Sequence, residues 1–118
     1  NYEKNYRGKV LVRNAFAAEQ AARAVESGFL LGIGGMVTYK NAGVDRVVQA
    51  AGLSHLVLET DAPYLPPVPY RGKLNVPAYL PLVAEAVARL LAVEVEMVER
   101  VTTENAARLF GLEKELLS

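Results

Sequence analysis

The residue that stands out for its possible chemistry is Asp61, which lies just beyond a short apolar run. Leu56–Leu58 is continuously hydrophobic, which is typical of a strand buried on both faces. The run ends at Glu59, and Pro63 forbids further ladder pairing. A carboxylate just after a buried parallel strand lies where α/β folds place their chemistry. Aspartate also suits a turn before a proline, so the pattern alone leaves both a functional and a turn-forming interpretation of Asp61 open.

Few other side chains offer a catalytic or metal-binding group. His55 is the single histidine of the chain, and it precedes the apolar run instead of following it. We therefore interpret it as a surface residue or a residue of a helix–strand junction. Three acidic residues lie close together in the C-terminal part: Glu94, Glu96 and Glu99. We interpret them as the solvated face of a helix, on which Glu96 and Arg100 form an i,i+4 pair.

The composition excludes several classes of function. The 118 residues suit one domain, which we assign to residues 1–118, and the 13 basic residues balance the 13 acidic ones. This balance gives no bulk attraction to nucleic acid or to a membrane surface. No apolar run approaches the ~20 residues that span a bilayer, so we predict no membrane association. The absence of cysteine excludes thiolate catalysis and fits a reducing compartment, so we predict a cytoplasmic location.

The elements that must position Asp61 alternate between strand and helix. The predicted strands are residues 9–12, 29–34 and 56–58. The predicted helices are residues 15–27, 44–51, 79–91, 95–101 and 104–110. Alternation of this kind predicts right-handed parallel crossovers, and so a parallel sheet or part of a barrel. Because the strands are apolar on both faces and there are few of them, we interpret the chain as a piece of a larger sheet.

Five runs of the sequence closely resemble successive signatures of one family, the TatD-type metal-dependent deoxyribonucleases. They are GFLLGIGG at 28–35, VTYKN at 37–41, LETDAPYL at 58–65, VPYRGKLN at 68–75 and TTENAARLFG at 102–111. They occur in the expected order and at the expected separations, and the resemblance covers about residues 18–112. An unrelated small α/β binding module would require the match around Asp61 to be accidental.

The resemblance implies a fold, a cofactor and a set of roles. The fold is a TIM barrel of about twice this length, of which the chain matches the last three βα units with the C-terminal helices. The implied reaction is phosphodiester hydrolysis in DNA with a divalent metal (Mg, Mn or Zn), and Asp61 becomes a metal ligand and catalytic residue. Arg71, Lys73 and Asn75 fall on the following loop, where they face the substrate phosphates or form a solvated loop tip.

The sequence also departs from the family's pattern. The family takes further metal ligands from a His-x-His on its first strand, a mid-chain Glu and two later histidines, and none of these has a counterpart here. Where the last histidine is expected, the chain reads VRNAF at 12–16, and Val76 replaces a glutamate. The sequence therefore predicts a fragment that is inactive alone. The alternative is a non-catalytic partial-barrel scaffold that forms a homo-oligomer or pairs with the missing barrel half.

Overall fold

The structure, a computed structural model, describes residues 11–12, 17–39, 42–59, 67–70 and 77–111. Within these ranges the strands are β1 (Leu11–Val12), β2 (Leu30–Ile33) and β3 (Leu56–Leu58). The α-helices of the same ranges are α1 (Ala18–Glu26), α2 (Val44–Ala51), α3 (Leu80–Leu91) and α4 (Val95–Phe110). Short 3-10 helices occupy Gly35–Thr38, Leu53–His55 and Pro77–Tyr79. The first two residues of the predicted first strand and the start of the predicted first helix lie outside the described residues.

The strands form one parallel sheet, as the alternating pattern predicts. Their order is β1-β2-β3, and the register places Gly32 opposite Val57 and Ile33 opposite Leu58. Strand β2 is therefore central, while β1 and β3 are the edges of the sheet that the described residues form. All carboxyl ends point the same way, so the polar residues that follow β2 and β3 lie at one edge of the sheet.

Helices cover one face of the sheet and build the core there. Leu31 and Ile33 of β2 and Leu56 of β3 belong to a single buried cluster. The helices supply the rest of that cluster, and its largest fully buried helical side chains are Val47, Val48, Val87 and Val98. Because successive side chains of a strand alternate between faces, Leu30, Gly32 and Val57 point to the opposite face. The strand residues that do not pack against the helices therefore form the opposite face of the sheet.

Several predicted boundaries agree with the structure because local signals set them. Helix α2 and strand β3 have the predicted bounds. Gly28, two residues after the end of α1, and Gly111, directly after α4, have left-handed backbones, with φ of 78° and 73°. Glycine adopts this conformation without the steric cost that a Cβ would add, so it ends a helix well. Among the described residues, no helix combines the length and the apolar character needed to cross a bilayer.

The prediction of two separate C-terminal helices is wrong, because α4 is continuous from Val95 to Phe110. Polar residues at 102–105 have the composition of a helix start, but they are used differently. The Thr102 hydroxyl donates to the Val98 carbonyl at 2.7 Å, a bond within the helix. Asn105 is turned inward for a tertiary contact. Residues 102–105 therefore have the composition of a helix start, although two of them make buried hydrogen bonds in the middle of a helix.

Asn105 joins α4 to the start of β3. Its side chain is 3% exposed, and its Nδ2 donates to the Leu56 carbonyl at 2.8 Å and to the Leu53 carbonyl at 3.4 Å. The Arg108 guanidinium donates to Asn105 Oδ1 at 3.2 Å. A buried amide with both ends paired fixes the two segments it connects. Helix α4 therefore holds the amino end of the strand whose carboxyl end carries the candidate site.

Candidate active site

The loops that follow β2 and β3 are joined at the carboxyl edge of the sheet. The 3-10 helix Gly35–Thr38 comes directly after β2. The Thr38 hydroxyl donates to the Gly35 carbonyl at 2.7 Å and accepts a bond from the Val68 amide at 2.8 Å. One hydroxyl thus satisfies backbone groups from both loops. The connection brings the chain after β3 back over the end of β2, at the edge where barrel enzymes assemble their sites.

A stacked pair of tyrosines makes a second connection at the loop after β3. The rings of Tyr70 and Tyr79 lie parallel, with an interplanar angle of 3° and centroids 4.1 Å apart. The Tyr70 amide also donates to the Pro67 carbonyl at 2.8 Å. Stacking of this kind adds to the stability that burial alone provides. It ties residues 67–70 to the 3-10 helix that leads into α3.

Glu59 carries the described carboxylate at this edge, and it lies against a glycine of the neighbouring strand. Its amide donates to the Ile33 carbonyl at 2.9 Å, which continues the parallel ladder one residue past β3. A Cβ placed on Gly32 would lie 2.6 Å from Glu59 Oε2 and 2.8 Å from its Cδ. The carboxylate therefore occupies the space that a side chain at position 32 would fill, on the face of the sheet opposite the helices.

Glu59 is not predicted as a site residue from the sequence, where it is only the polar end of a strand. A signal was present in the alternation of β3. Leu56 and Leu58 face the helices, so Val57 and Glu59 share the other face. The contact between Glu59 and Gly32 can be inferred only when the register between β2 and β3, which pairs Gly32 with Val57, is known.

The residues that the sequence singled out for function have different outcomes. Asp61, Arg71, Lys73 and Asn75 lie outside the described residues, so their roles stay predictions. The interpretation of His55 is confirmed: it lies in the 3-10 helix before β3, and its Nδ1 is 3.0 Å from the Ala51 carbonyl oxygen. It therefore occupies the end of β3 opposite to Glu59.

The described residues do not by themselves make a metal site. Among them, no group of three or more histidine, cysteine, aspartate or glutamate side chains is close enough to hold an ion. The acidic residues Glu94, Glu96 and Glu99 are exposed, as expected for a solvated face. The predicted ion pair between Glu96 and Arg100 is wrong, because Arg100 pairs with Glu104 instead, at 3.3 Å. Glu59 fits a divalent cation in donor type, because hard cations prefer carboxylate oxygen, but a complete site needs further ligands.

A parallel sheet covered by helices on one face, with strands and helices alternating along the chain, defines the class, an α/β fold. The sequence profile of the TatD related DNase family matches residues 3–111. The chain therefore belongs to this family of metal-dependent hydrolases.

Individual relatives agree with that assignment. The chain is 44% identical over 97 residues to YabD of Bacillus subtilis and 44% identical over 100 residues to YcfH of Escherichia coli K12. Both relatives are named uncharacterized metal-dependent hydrolases. The matches cover 81% and 84% of this chain but 38% of each relative. The chain thus spans well under half the length of the curated relatives it matches.

Solved structures of TatD family proteins have a fold similar to that of this chain. The fold resembles that of YJJV, a TatD homologue from Escherichia coli, with a TM-score of 0.79 and 26% identity, over 92% of this chain and 43% of that one. A TatD family hydrolase of Entamoeba histolytica has a similar fold, with a TM-score of 0.73 and 20% identity, over 92% of this chain and 44% of that one. These are TIM-barrel proteins, so the small parallel sheet is consistent with part of a barrel. That the part is the last three βα units stays a prediction.

Proposed function

We propose that the complete protein hydrolyses phosphodiester bonds in DNA in a reaction that requires Mg, Mn or Zn. The observation that carries the proposal is the family match over residues 3–111. The position of the Glu59 carboxylate, just past the carboxyl end of β3, is in keeping with it. Barrel enzymes assemble their sites at this edge. The proposal includes a cytoplasmic location, in keeping with a chain that has no cysteine.

In this proposal the loop after β3 supplies the residues that act on the substrate. Asp61 ligates the metal and orients the attacking water, and Arg71, Lys73 and Asn75 bind the phosphates of the DNA. An arginine suits a phosphate because its fork of N–H groups matches two oxygens at once. A bound divalent cation supplies the Lewis acid that activates water near neutral pH and stabilises the leaving oxygen.

The 118-residue chain is proposed to be inactive alone. It corresponds to 38% of its relatives YabD and YcfH, and the described residues provide no group of three metal ligands. A catalytic divalent ion needs several protein ligands in a fixed geometry. Further ligands then come from the part of the barrel that this chain does not contain, whereas the histidine expected at residues 12–16 is absent from the chain itself. DNA is the partner of the complete barrel, and no membrane takes part.

A second candidate function is a non-catalytic scaffold that self-associates. It is favoured by a groove of about 340 Å³ beside the edge strand β3. Most of its lining is apolar or small: Leu58, Leu80, Pro81, Ala84, Thr102 and Ala106. An edge strand flanked by an apolar groove offers a surface to a second copy of the chain. A light-scattering mass of twice the monomer at micromolar concentration supports this alternative, and a monomer contradicts it.

A chimeric barrel tests the proposed reaction. We expect that a chimera in which residues 18–112 of this chain replace the matching segment of YcfH, with the YcfH sequence kept before it, hydrolyses DNA with Mn²⁺ and loses this activity when EDTA is added. The isolated chain is expected to leave DNA intact. Asp61→Asn in the chimera is expected to lower the rate by more than roughly 100-fold, because losing even a residue that supports a ligand costs roughly 10–100-fold.

The controls separate folding from chemistry. Unmodified YcfH is assayed on the same DNA, and circular dichroism compares the chimera with its Asp61→Asn variant. A chimera that folds and binds Mn²⁺ but does not cleave DNA contradicts the proposed reaction. A chimera that cleaves DNA equally well with Asp61→Asn contradicts the role of Asp61.

A further inference from the structure

We propose that the stacked rings of Tyr70 and Tyr79 form a platform on which an unpaired base of single-stranded DNA stacks. The inference rests on the proposed function, because it names the part of a DNA substrate that this edge of the sheet binds. It brings in Tyr79, which lies outside the five signature runs of the sequence, and it needs no metal ion.

The platform lies at the carboxyl edge of the sheet. Tyr70 follows Val68, whose amide donates to the Thr38 hydroxyl of the loop after β2. Tyr79 is the last residue of the 3-10 helix that leads into α3. The first turn of α3 lies beside the same loops, since Leu82 lines a common groove with Thr38 and Val68. Both rings therefore lie at the edge where barrel enzymes meet their substrates.

The geometry of the pair resembles that of stacked bases more than a typical aromatic contact. The ring centroids are 4.1 Å apart and the planes differ by 3°. Aromatic pairs in proteins usually have centroids ~4.5–7 Å apart and prefer offset or edge-to-face arrangements. Each ring uses one face for its partner, and both tyrosines are partly exposed. A further flat ring can therefore extend the stack from solvent.

A nucleobase is the flat group that a DNA substrate presents to this pair. Every base has a π face, so stacking on an aromatic side chain tolerates any sequence. A base inside a duplex is already stacked and paired, and freeing it costs energy, so the platform favours single strands and frayed ends. The chain has no net charge and hence no general attraction for phosphates. We therefore expect weak binding to which the bases contribute a large part.

A titration of the 118-residue chain with single-stranded oligodeoxyadenylate in EDTA tests the inference. EDTA removes metal ions, so binding is measured without cleavage. A strand of about eight nucleotides is within the usual range of single-strand site sizes. The matched control ligand is an abasic strand of the same length, which keeps the sugars and phosphates. In ¹H–¹³C spectra we expect the oligodeoxyadenylate to shift the ring signals of Tyr70 and Tyr79, and the abasic strand to leave them nearly unchanged.

Variants of Tyr79 separate stacking from folding. Tyr79→Leu is expected to raise the Kd for the oligodeoxyadenylate roughly tenfold and to leave that for the abasic strand unchanged, because it removes one ring of the platform. Tyr79→Phe keeps the ring and is expected to bind as the unmodified chain does. The matched control is Phe110→Leu, which removes a 70% exposed ring from the end of α4 and is expected to leave both Kd values unchanged. Melting temperatures check that each variant is folded, and the ring signals of the unmodified chain decide the question if Tyr79→Leu is not.

Two outcomes overturn the inference. One is that the ring signals of Tyr70 and Tyr79 do not respond to the oligodeoxyadenylate, or respond equally to the abasic strand. The other is a Kd for the oligodeoxyadenylate that a folded Tyr79→Leu variant leaves unchanged. If the chimera cleaves DNA but the ring signals do not respond, the inference on the platform fails and the proposed function stands. If the rings bind the bases but the chimera does not cleave DNA, the platform stands and the proposed reaction fails.

Discussion

Asn105→Asp is expected to lower the free energy of unfolding by about 3 kcal/mol, although it changes few atoms. The Nδ2 group now donates to the carbonyls of Leu53 and Leu56, and a carboxylate oxygen in its place would face both carbonyl oxygens without a proton. The site is 3% exposed, so water cannot compensate. Urea unfolding followed by circular dichroism at pH 7 measures the change.

The pH dependence and a neighbouring control sharpen this prediction. Protonation of the introduced carboxyl restores a donor towards Leu56, so the penalty is expected to shrink as the pH falls. Glu104→Gln, on the exposed surface of the same helix, is expected to change the stability by less than about 0.5 kcal/mol. A loss below about 1 kcal/mol for Asn105→Asp at pH 7 would show that the buried amide does not hold α4 to β3.

Leu31→Ala is the second large effect, with an expected loss of about 3 kcal/mol of unfolding free energy. Leu31 is fully buried in the central strand, and its side chain belongs to the cluster that the helices build. Truncation removes favourable burial and leaves a cavity that neighbouring strands on both sides of β2 keep open. The same urea experiment measures this loss of unfolding free energy. A circular dichroism spectrum without denaturant first checks that the variant is folded.

The matched control for Leu31 is an apolar residue at the surface. Met97→Ala removes a side chain that is 43% exposed, so it is expected to cost less than about 1 kcal/mol. If Leu31→Ala costs no more than Met97→Ala, the sheet face that carries Leu31 is not the core of the fold.

Local signals in the sequence account for what could be predicted of the fold. The apolar run Leu56–Leu58 and the helix Val44–Ala51 have clear ends, so their bounds are confirmed. The parallel sheet follows from the alternation of strands and helices. The continuity of α4 could not be predicted, because Asn105 satisfies a tertiary contact with a residue type that usually starts helices.

The candidate site was only partly predictable for a related reason. Asp61 was found because it belongs to a contiguous motif, and its role stays a prediction. Glu59 was missed because its significance depends on Gly32, which lies on another strand and becomes its neighbour only through the sheet register. Contacts between residues distant in sequence are not encoded in any local pattern, whereas a motif or a helix end is.

The central claim is that Asp61, at the carboxyl end of this sheet, is a metal ligand. A calorimetric titration of Mn²⁺ into the YcfH chimera, compared with its Asp61→Ala variant, tests it most directly. We expect stoichiometric binding to the complete barrel and at least a ~100-fold weaker affinity in the variant, since a ligand is lost. Equal binding by the two folded proteins would contradict the claim that the carboxyl edge of this sheet, with Asp61, is the metal site.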